Sequence, residues 1–273
     1  AELRDGLFLL ALVLIALPLT PNTALWGNVL NPYVILKLLI LILSVQALAH
    51  IAKRLLSSSN ALILSAIASG FVSSTATIAS LGMEVRAGRG DARANAGAAL
   101  MSCVATLAQM LIIMAGVNLA WFKLLIMPSL AGIGILILVG VCLLKKHKNT
   151  TTAKSEADTR MFSLKEAAII VATLTAIQAM VYGLEQMLGD AGLIIGTLLA
   201  SLFEVHAAIA TVVMQGPPSQ QMLLYALILG LVAHAISKCI NAALIGGLRF
   251  ALYFAPTQIL HMLALVAILY MLV

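Results

Sequence analysis

The chain contains a series of apolar runs, each bounded by polar or charged residues. β-Barrel strands would alternate polar and apolar residues, and these runs do not. The pattern therefore predicts an all-α integral membrane protein whose first partner is the lipid bilayer. With their flanks, the runs approach or reach the ~20 residues that cross a bilayer as helix: Leu7–Leu19, Tyr33–Ile51, Ala94–Val117, Leu124–Leu144, Leu164–Tyr182, Met222–Ile245 and Leu252–Val273.

The charge distribution supports the membrane class. Charged residues make up only 10% of the chain, whereas soluble domains carry about a quarter. The net charge is +6, but nearly all the Lys and Arg residues lie between apolar runs, which indicates membrane topology and not a nucleic-acid footprint. The three cysteines lie inside apolar runs and show neither a disulfide framework nor a metal-ligand spacing.

An internal repeat organises most of the chain. The segment around Gln46 aligns with that around Gln178 at an offset of 132, and Ser73 aligns with Glu204 at an offset of 131. On the next predicted helix of each repeat, polar residues recur at i, i+4 and i+7, which places them on one helical face. These residues are Ser102, Thr106 and Gln109 in the first repeat and His234, Lys238 and Asn241 in the second.

We therefore divide the chain into four parts. Residues 1–30 hold an extra N-terminal transmembrane helix and loop, residues 31–146 form repeat 1, residues 147–162 form a cytoplasmic linker, and residues 163–273 form repeat 2. Within the repeats, residues 60–84 and 191–215 either cross the membrane or form re-entrant hairpins. In the second of these segments, Gly192 and Gly196 predict close packing within the hairpin.

The positions of Lys and Arg distinguish these two arrangements. If both segments cross, nine loop Lys and Arg lie inside and five outside; if both are re-entrant, thirteen lie inside and only Lys123 outside. The positive-inside rule favours the second arrangement. Each repeat then has three spans and one hairpin, so the second repeat is inverted. We expect a multi-pass protein of the cell (inner) membrane with a cytoplasmic N-terminus.

The predicted hairpin tips carry hydroxyl, carboxylate and imidazole side chains that could bind a solute or transfer a proton. Ser73, Ser74 and Thr75, with Thr77 beyond, are natural N-caps for a second limb, whose N-terminus suits an anion or polar solute. Glu204 and His206 could relay a proton or coordinate a cation. Two alternatives stay open: ordinary spans whose hydroxyls bond the preceding turn, and a purely structural ion pair between Glu204 and Lys238.

These patterns predict a secondary transporter or channel for a small ion or polar solute, bound at the midplane between the two tips. No Walker motif or HExxH zinc motif is present, and we expect no enzyme activity and no cofactor. The alternative is a non-transporting regulatory or partner subunit, and a homodimer is also open. The candidate ligand-binding residues are Ser73, Ser74, Thr75, Thr77, Ser102, Thr106, Gln109, Glu204, His206, His234, Lys238 and Asn241.

The stretch from Gly70 to Thr77, GFVSSTAT, resembles the G-[LF]-V-S-S-T-A-T motif of the C-terminal membrane domain of MgtC/SapB-type proteins. The Asn31-Pro32 dipeptide is also similar, and Lys238 matches a family lysine. The second tip reads Glu-Val-His-Ala at residues 204–207, where the family pattern resembles Asp-Val-Asp-Ala. The resemblance implies the same helical architecture, in a family whose function is unsettled.

Overall fold

The computed structural model describes residues 2–25, 31–55, 61–145 and 164–273. All regular secondary structure in these ranges is helical, and the predicted linker 147–162 lies outside them. A short 3-10 turn, Leu17–Leu19, follows the first helix. The helices are α1 (Glu2–Ala16), α2 (Pro32–Leu55), α3 (Ala61–Arg86), α4 (Ala92–Val117), α5 (Leu119–Lys145), α6 (Leu164–Leu188), α7 (Asp190–Phe203), α8 (Val205–Gln215) and α9 (Gln221–Leu272).

Five helices are long and apolar enough to cross a membrane. They are the described parts of α3, α4, α5, α6 and α9. Shorter apolar stretches occur in α1, α2, α7 and α8. The predicted all-helical class is therefore confirmed for the described residues, and the five long apolar helices are compatible with a multi-pass membrane protein. The extra N-terminal span stays a prediction, because the apolar stretch there, Phe8–Leu19, is shorter than a full crossing.

Polar caps mark where the spans begin. Asn31 precedes Pro32 of α2, and its Oδ1 accepts hydrogen bonds from the backbone N–H groups of Tyr33 and Val34 at 3.0 and 3.4 Å. Asp91 precedes α4, and its Oδ1 accepts from the N–H of Ala94 at 2.8 Å. The first N–H groups of a helix have no partner within the helix, so these side chains fix where each helix starts.

The described helices form two compact units. The first contains α1, most of α2, the junction of α4 and α5, the helices α6, α7 and α8, and the first part of α9 up to His234. One hydrophobic cluster in this unit joins α1, α2 and α6 through Leu9, Val13, Leu39, Leu43 and Ala167.

Close helix packing in the first unit depends on two glycines of α7. A Cβ added at Gly192 would overlap the carbonyl oxygen of Leu184, and one at Gly196 would lie 3.0 Å from the Cα of Val181. Leu184 and Val181 both belong to α6. The close packing that this glycine pair predicts is therefore present against α6, and packing within the hairpin stays a prediction.

Gly192→Ala should lower the free energy of unfolding by about 1–3 kcal/mol, the usual cost of overpacking. Gly183→Ala is the matched control, because no atom lies within 4 Å of a Cβ added at that position of α6 and alanine favours helix over glycine. Thermal unfolding in detergent would compare the two variants. Equal melting temperatures for them would show that the α6–α7 contact is not tight.

The second unit contains the end of α2, all of α3, most of α4 and α5, and α9 from Ala235 onward. Small residues let backbones approach in this unit, as in other membrane helix pairs. A Cβ added at Gly70 of α3 would overlap the backbone of Ser102 in α4, and one at Gly97 of α4 would lie 2.8 Å from the carbonyl oxygen of Gly140 in α5. The rings of Phe250 and Phe254 stack at 6.2 Å between centroids.

Helix α9 is interrupted at Gly247, whose φ of 79° and ψ of 171° are not helical. A positive φ favours glycine. The interruption frees backbone carbonyls, and one of them, that of Leu244, accepts a hydrogen bond from Nη1 of Arg86 at 3.0 Å. The long C-terminal helix is thus two limbs, and the break lies between the apolar runs Met222–Ile245 and Leu252–Val273.

Candidate functional site

The backbone of α3 breaks at Ser73. This residue has φ −165° and ψ 107°, an extended conformation inside an otherwise helical segment. Its Oγ accepts a hydrogen bond from the N–H of Ala76 at 3.2 Å, and its carbonyl oxygen accepts from Oγ1 of Thr77 at 2.9 Å. Ser73 therefore ends one limb and caps the next, because its own side chain replaces the helical bond that the break removes.

A chain of hydrogen bonds leads away from this break. Nζ of Lys238 donates to Oγ1 of Thr106 at 3.0 Å, and the Thr106 hydroxyl donates to Oγ of Ser74 at 2.8 Å. Only 2% of Lys238 is exposed, so its ammonium group lies inside the second unit. Thr106 therefore accepts a hydrogen bond from Lys238 and donates its own hydroxyl hydrogen in a second hydrogen bond to Ser74.

Two further contacts complete the surroundings of the Ser73 break. Nδ2 of Asn241 donates to the carbonyl oxygen of Thr75 at 3.4 Å. The Sγ of Cys103 lies 3.8 Å from Nζ of Lys238. Together these contacts connect the second limb of α3 with α4 and α9 through polar groups, in a chain that is otherwise largely apolar.

The second break lies between α7 and α8 at Glu204. This residue has φ −148° and ψ 98°, so its backbone is extended like that of Ser73. Its Oε1 accepts a hydrogen bond from the N–H of His206 at 3.0 Å and lies 2.7 Å from Nδ1 of the same residue. The carboxylate therefore caps α8 and holds the imidazole at once. The Glu204 side chain is 42% exposed, whereas that of His206 is 13% exposed.

The α7 limb before this break is lined by small polar residues. Nδ1 of His234 lies 3.0 Å from the carbonyl oxygen of Ser201. The hydroxyls of Thr197 and Ser201 are buried and have no hydrogen-bond partner among the described residues. A Cβ added at Gly230 of α9 would lie 2.8 Å from Oγ of Ser201, so these hydroxyls face a close helix contact.

Part of the sequence matches a known protein family. The family described as "Domain of unknown function (DUF4010)" matches residues 40–246, which is more than half of the chain. The chain belongs to the DUF4010 family. Neither a curated protein nor a solved structure matches it. The DUF4010 match includes both breaks and every candidate residue of the sequence analysis, and it ends just before Gly247.

Within this DUF4010 chain, the candidate residues form two groups. The second unit brings together Ser73, Ser74, Thr75, Thr77, Thr106, Lys238 and Asn241. The first unit brings together Glu204 and His206, with His234 beside Ser201. The meeting of the two tips stays a prediction.

Two of the predicted ligand-binding residues, Ser102 and Gln109, have different surroundings from the others. The hydroxyl of Ser102 donates to the carbonyl oxygen of Ala99 in its own helix at 2.7 Å, so this side chain is satisfied within α4. Gln109 is buried, and its Oε1 has no hydrogen-bond partner among the described residues. No group of three or more His, Cys, Asp or Glu suited to a metal ion occurs among the residues that the structure describes.

Several buried polar residues of the second unit were not predicted. They include Ser129 of α5 and three residues of the second limb of α9: Thr257, Gln258 and His261. Oγ of Ser129 and Oε1 of Gln258 have no hydrogen-bond partner within the described ranges. The signal was available, because Thr257 and His261 stand at i and i+4 in an apolar run and so share a helical face.

Proposed function

We propose that this protein is a secondary transporter or channel for a small ion or polar solute, and that the solute binds at the helix breaks. The observation that carries the proposal is the pair of breaks. Ser73 and Glu204 align in the sequence repeat, adopt nearly the same extended conformation, and each cap the following limb with their own side chain. Broken helices at membrane depth are typical of transporter binding sites, since irregular backbone is tolerated there only when buried or beside water.

The inverted repeat and the re-entrant hairpins belong to this proposal. Thr106 and Lys238 align at an offset of 132 and are hydrogen-bonded to each other. Equivalent residues of two repeats meet only near the axis that relates the repeats. The contact therefore supports a two-fold relation between α4 and the first limb of α9.

The direction of the helices supports inversion. Near the end of α3, Glu84 accepts a hydrogen bond from Asn95 at 3.2 Å, and Arg86 donates to Leu244 at 3.0 Å. From this common end, α4 leads away toward Thr106, whereas α9 leads toward it from Lys238. The two equivalent helices are thus antiparallel, as an inverted repeat requires and a parallel repeat does not.

The exposure of Glu204 favours a functional carboxylate over a structural one. A charged side chain at the bilayer centre costs about 2.5–3.5 kcal/mol on the insertion scale, and 42% of this side chain is accessible. The contact of Oε1 with Nδ1 of His206 still leaves part of the carboxylate surface accessible to water or a solute. At each break, the partial positive charge of the following helix N-terminus offers a favourable contact to an anionic or polar solute.

We also propose an inner-membrane location, a cytoplasmic N-terminus and a likeness to MgtC/SapB-type membrane domains. None of them identifies the solute.

Reconstitution in liposomes tests the function. Purified protein would be screened for uptake of alkali cations, protons, small anions and small polar organic solutes, with protein-free liposomes as the baseline. We expect flux above the baseline for at least one solute class. Folded protein that carries none of them would contradict transport and would favour a regulatory or partner subunit.

A further inference from the structure

Basic side chains collect at one end of the second unit. Arg86 ends α3, Arg89 lies in the loop before α4, and Arg93 stands in the first turn of α4. Lys145 ends α5, and Arg249 follows the interruption of α9. We call these five residues the basic surface. They come from three separate stretches of sequence, so helix packing must bring them together.

The end of α3 lies against the interruption of α9. Nη1 of Arg86 donates to the carbonyl oxygen of Leu244 at 3.0 Å. A Cβ added at Gly82 of α3 would lie 2.9 Å from the Cα of Gly246 in α9. Arg249 follows Gly246 by three residues, which span at most about 11 Å. Arg249 is therefore close to the end of α3.

The start of α4 lies against the end of α5 in the same unit. A Cβ added at Gly97 of α4 would lie 3.0 Å from Cγ of Leu144 in α5. Arg93 precedes Gly97 by four residues, about one helical turn on the same face, and Lys145 is the residue after Leu144. Arg93 and Lys145 therefore flank one helix contact.

Four of the five cations have no partner within the chain. The side chains of Arg89, Arg93, Lys145 and Arg249 form no hydrogen bond or ion pair within the described ranges, and Arg86 contacts a neutral carbonyl oxygen. Nε of Arg93 is buried without a hydrogen-bond partner among the described residues. A buried donor of this kind needs an acceptor, which must come from outside the described chain.

The acidic residues at this end do not neutralise the surface. Oε2 of Glu84 accepts a hydrogen bond from Nδ2 of Asn95 at 3.2 Å, and Oδ1 of Asp91 accepts from the N–H of Ala94 at 2.8 Å. Glu84 and Asp91 are the acidic residues in the described part of the second unit. Five cations and two carboxylates give a formal charge of +3. Such an excess attracts anions.

The surface lies where spanning helices end. α3, α4 and α5 are long and apolar enough to cross a membrane, and in a bilayer the ends of such helices reach the lipid headgroups. Basic residues in a last turn also complement the helix dipole, which accounts for Arg86 and Lys145. It does not account for Arg89, Arg93 or Arg249, which stand outside the last turns.

Exposed apolar side chains adjoin the cations. Met83, one turn before Arg86, is 54% exposed, and Leu248 and Leu252, on either side of Arg249, are 72% and 63% exposed. A free anion would use only the charges of this surface, whereas a phospholipid would use both features, because its acyl chains can cover the apolar side chains while its headgroup contacts the cations.

We propose that the basic surface binds the phosphate groups of anionic phospholipids. Guanidinium groups present paired donors that match phosphate oxygens, and clustered Lys and Arg residues beside membrane helices bind anionic headgroups. The site is additional to the helix breaks, and lipid binding there does not depend on transport.

Native mass spectrometry tests this binding. The full chain, purified in an uncharged detergent, would be titrated with phosphatidylglycerol or phosphatidylcholine of identical acyl chains, and the bound lipid would be counted. We expect phosphatidylglycerol to bind at least tenfold more tightly, because only its headgroup carries a net negative charge. The preference should shrink as salt rises, since salt screens exposed charges.

Two triple variants, each with three cations neutralised, locate the site. The first changes the basic surface: Arg89→Gln, Arg93→Gln and Lys145→Gln. It leaves Arg86 in place, because that side chain joins α3 to α9, and its affinity for phosphatidylglycerol should fall at least tenfold. The matched control removes the same charge from described lysines of the first unit: Lys37→Gln, Lys123→Gln and Lys165→Gln. Its affinity should equal that of the parent protein.

Four results would overturn the inference. They are equal binding of the two lipids by the parent protein, unchanged affinity in the first variant, an equal loss in the control, and displacement of the lipid by equimolar inorganic phosphate, which would assign a soluble anion. Melting temperatures in detergent would show that the variants are folded. If the first variant is not, Arg89→Gln with Lys145→Gln, both at exposed positions, replaces it, and unchanged affinity in that double variant would be equally decisive.

Discussion

Glu204→Gln should leave the protein folded and reduce solute flux at least tenfold, to the level of protein-free liposomes. Glutamine keeps a side-chain oxygen that can accept from the N–H of His206, as Oε1 of Glu204 does at 3.0 Å, so the cap of α8 persists. Only the charge is removed. Because a charged or polar solute in an apolar medium needs a compensating group, loss of the charge should stop transport. Initial rates in proteoliposomes measure the effect.

The control for this experiment is Glu84→Gln, which removes a half-buried carboxylate away from either break. Its flux should match that of the unmodified protein. Melting temperatures in detergent would show that both variants are folded. If Glu204→Gln transports normally, Glu204 is only a structural cap of α8, and its proposed binding role is lost.

Thr106→Val should also lower flux at least tenfold. Valine has nearly the same shape as threonine, but it can neither accept from Lys238 nor donate to Ser74, so both hydrogen bonds of 3.0 and 2.8 Å disappear. Each lost hydrogen bond costs about 0.5–1.5 kcal/mol, so the melting temperature should fall as well. Thr106→Ser keeps the hydroxyl and should restore both flux and stability.

Thr257→Val separates this effect from a general loss of buried hydroxyls. Thr257 and Thr106 are equally buried, each 6% exposed, but it is the carbonyl oxygen of Thr257, and not its hydroxyl, that lies 3.4 Å from Nδ1 of His261. We expect flux near that of the unmodified protein in Thr257→Val. Normal flux in Thr106→Val, or no rescue by Thr106→Ser, would show that the chain from Lys238 to Ser74 has no part in transport.

The helical membrane class was predictable because it depends only on the length of apolar runs. The breaks at Ser73 and Glu204 fall at the first residues of the two predicted tips. Short polar residues within an apolar run indicate a helix break from local sequence alone, and the internal repeat contains this pattern twice. The helical periodicity also placed Thr106 and Lys238 on the polar faces of their helices, and both residues are buried.

Contacts that depend on how the helices approach one another were harder to predict from the sequence. Ser102 stands on the predicted polar face, yet its hydroxyl donates to the carbonyl oxygen of Ala99 in its own helix, while its backbone packs against Gly70 of α3. A cavity at Glu185 joins the ends of four helices, and no local sequence pattern specifies which loops meet. Gly192 signalled close packing, but the sequence did not show that α6 is its partner.

Sided labelling of single cysteines tests the inverted arrangement most directly. The three native cysteines would be replaced, and Arg89→Cys and Ser219→Cys, both at exposed positions, would be probed with an impermeant maleimide in membrane vesicles of known orientation. Each residue follows the second limb of one broken segment. The account predicts that position 89 labels only from the cytoplasmic face and position 219 only from the opposite face. Labelling of both positions from the cytoplasmic face, as nine full spans require, would contradict it.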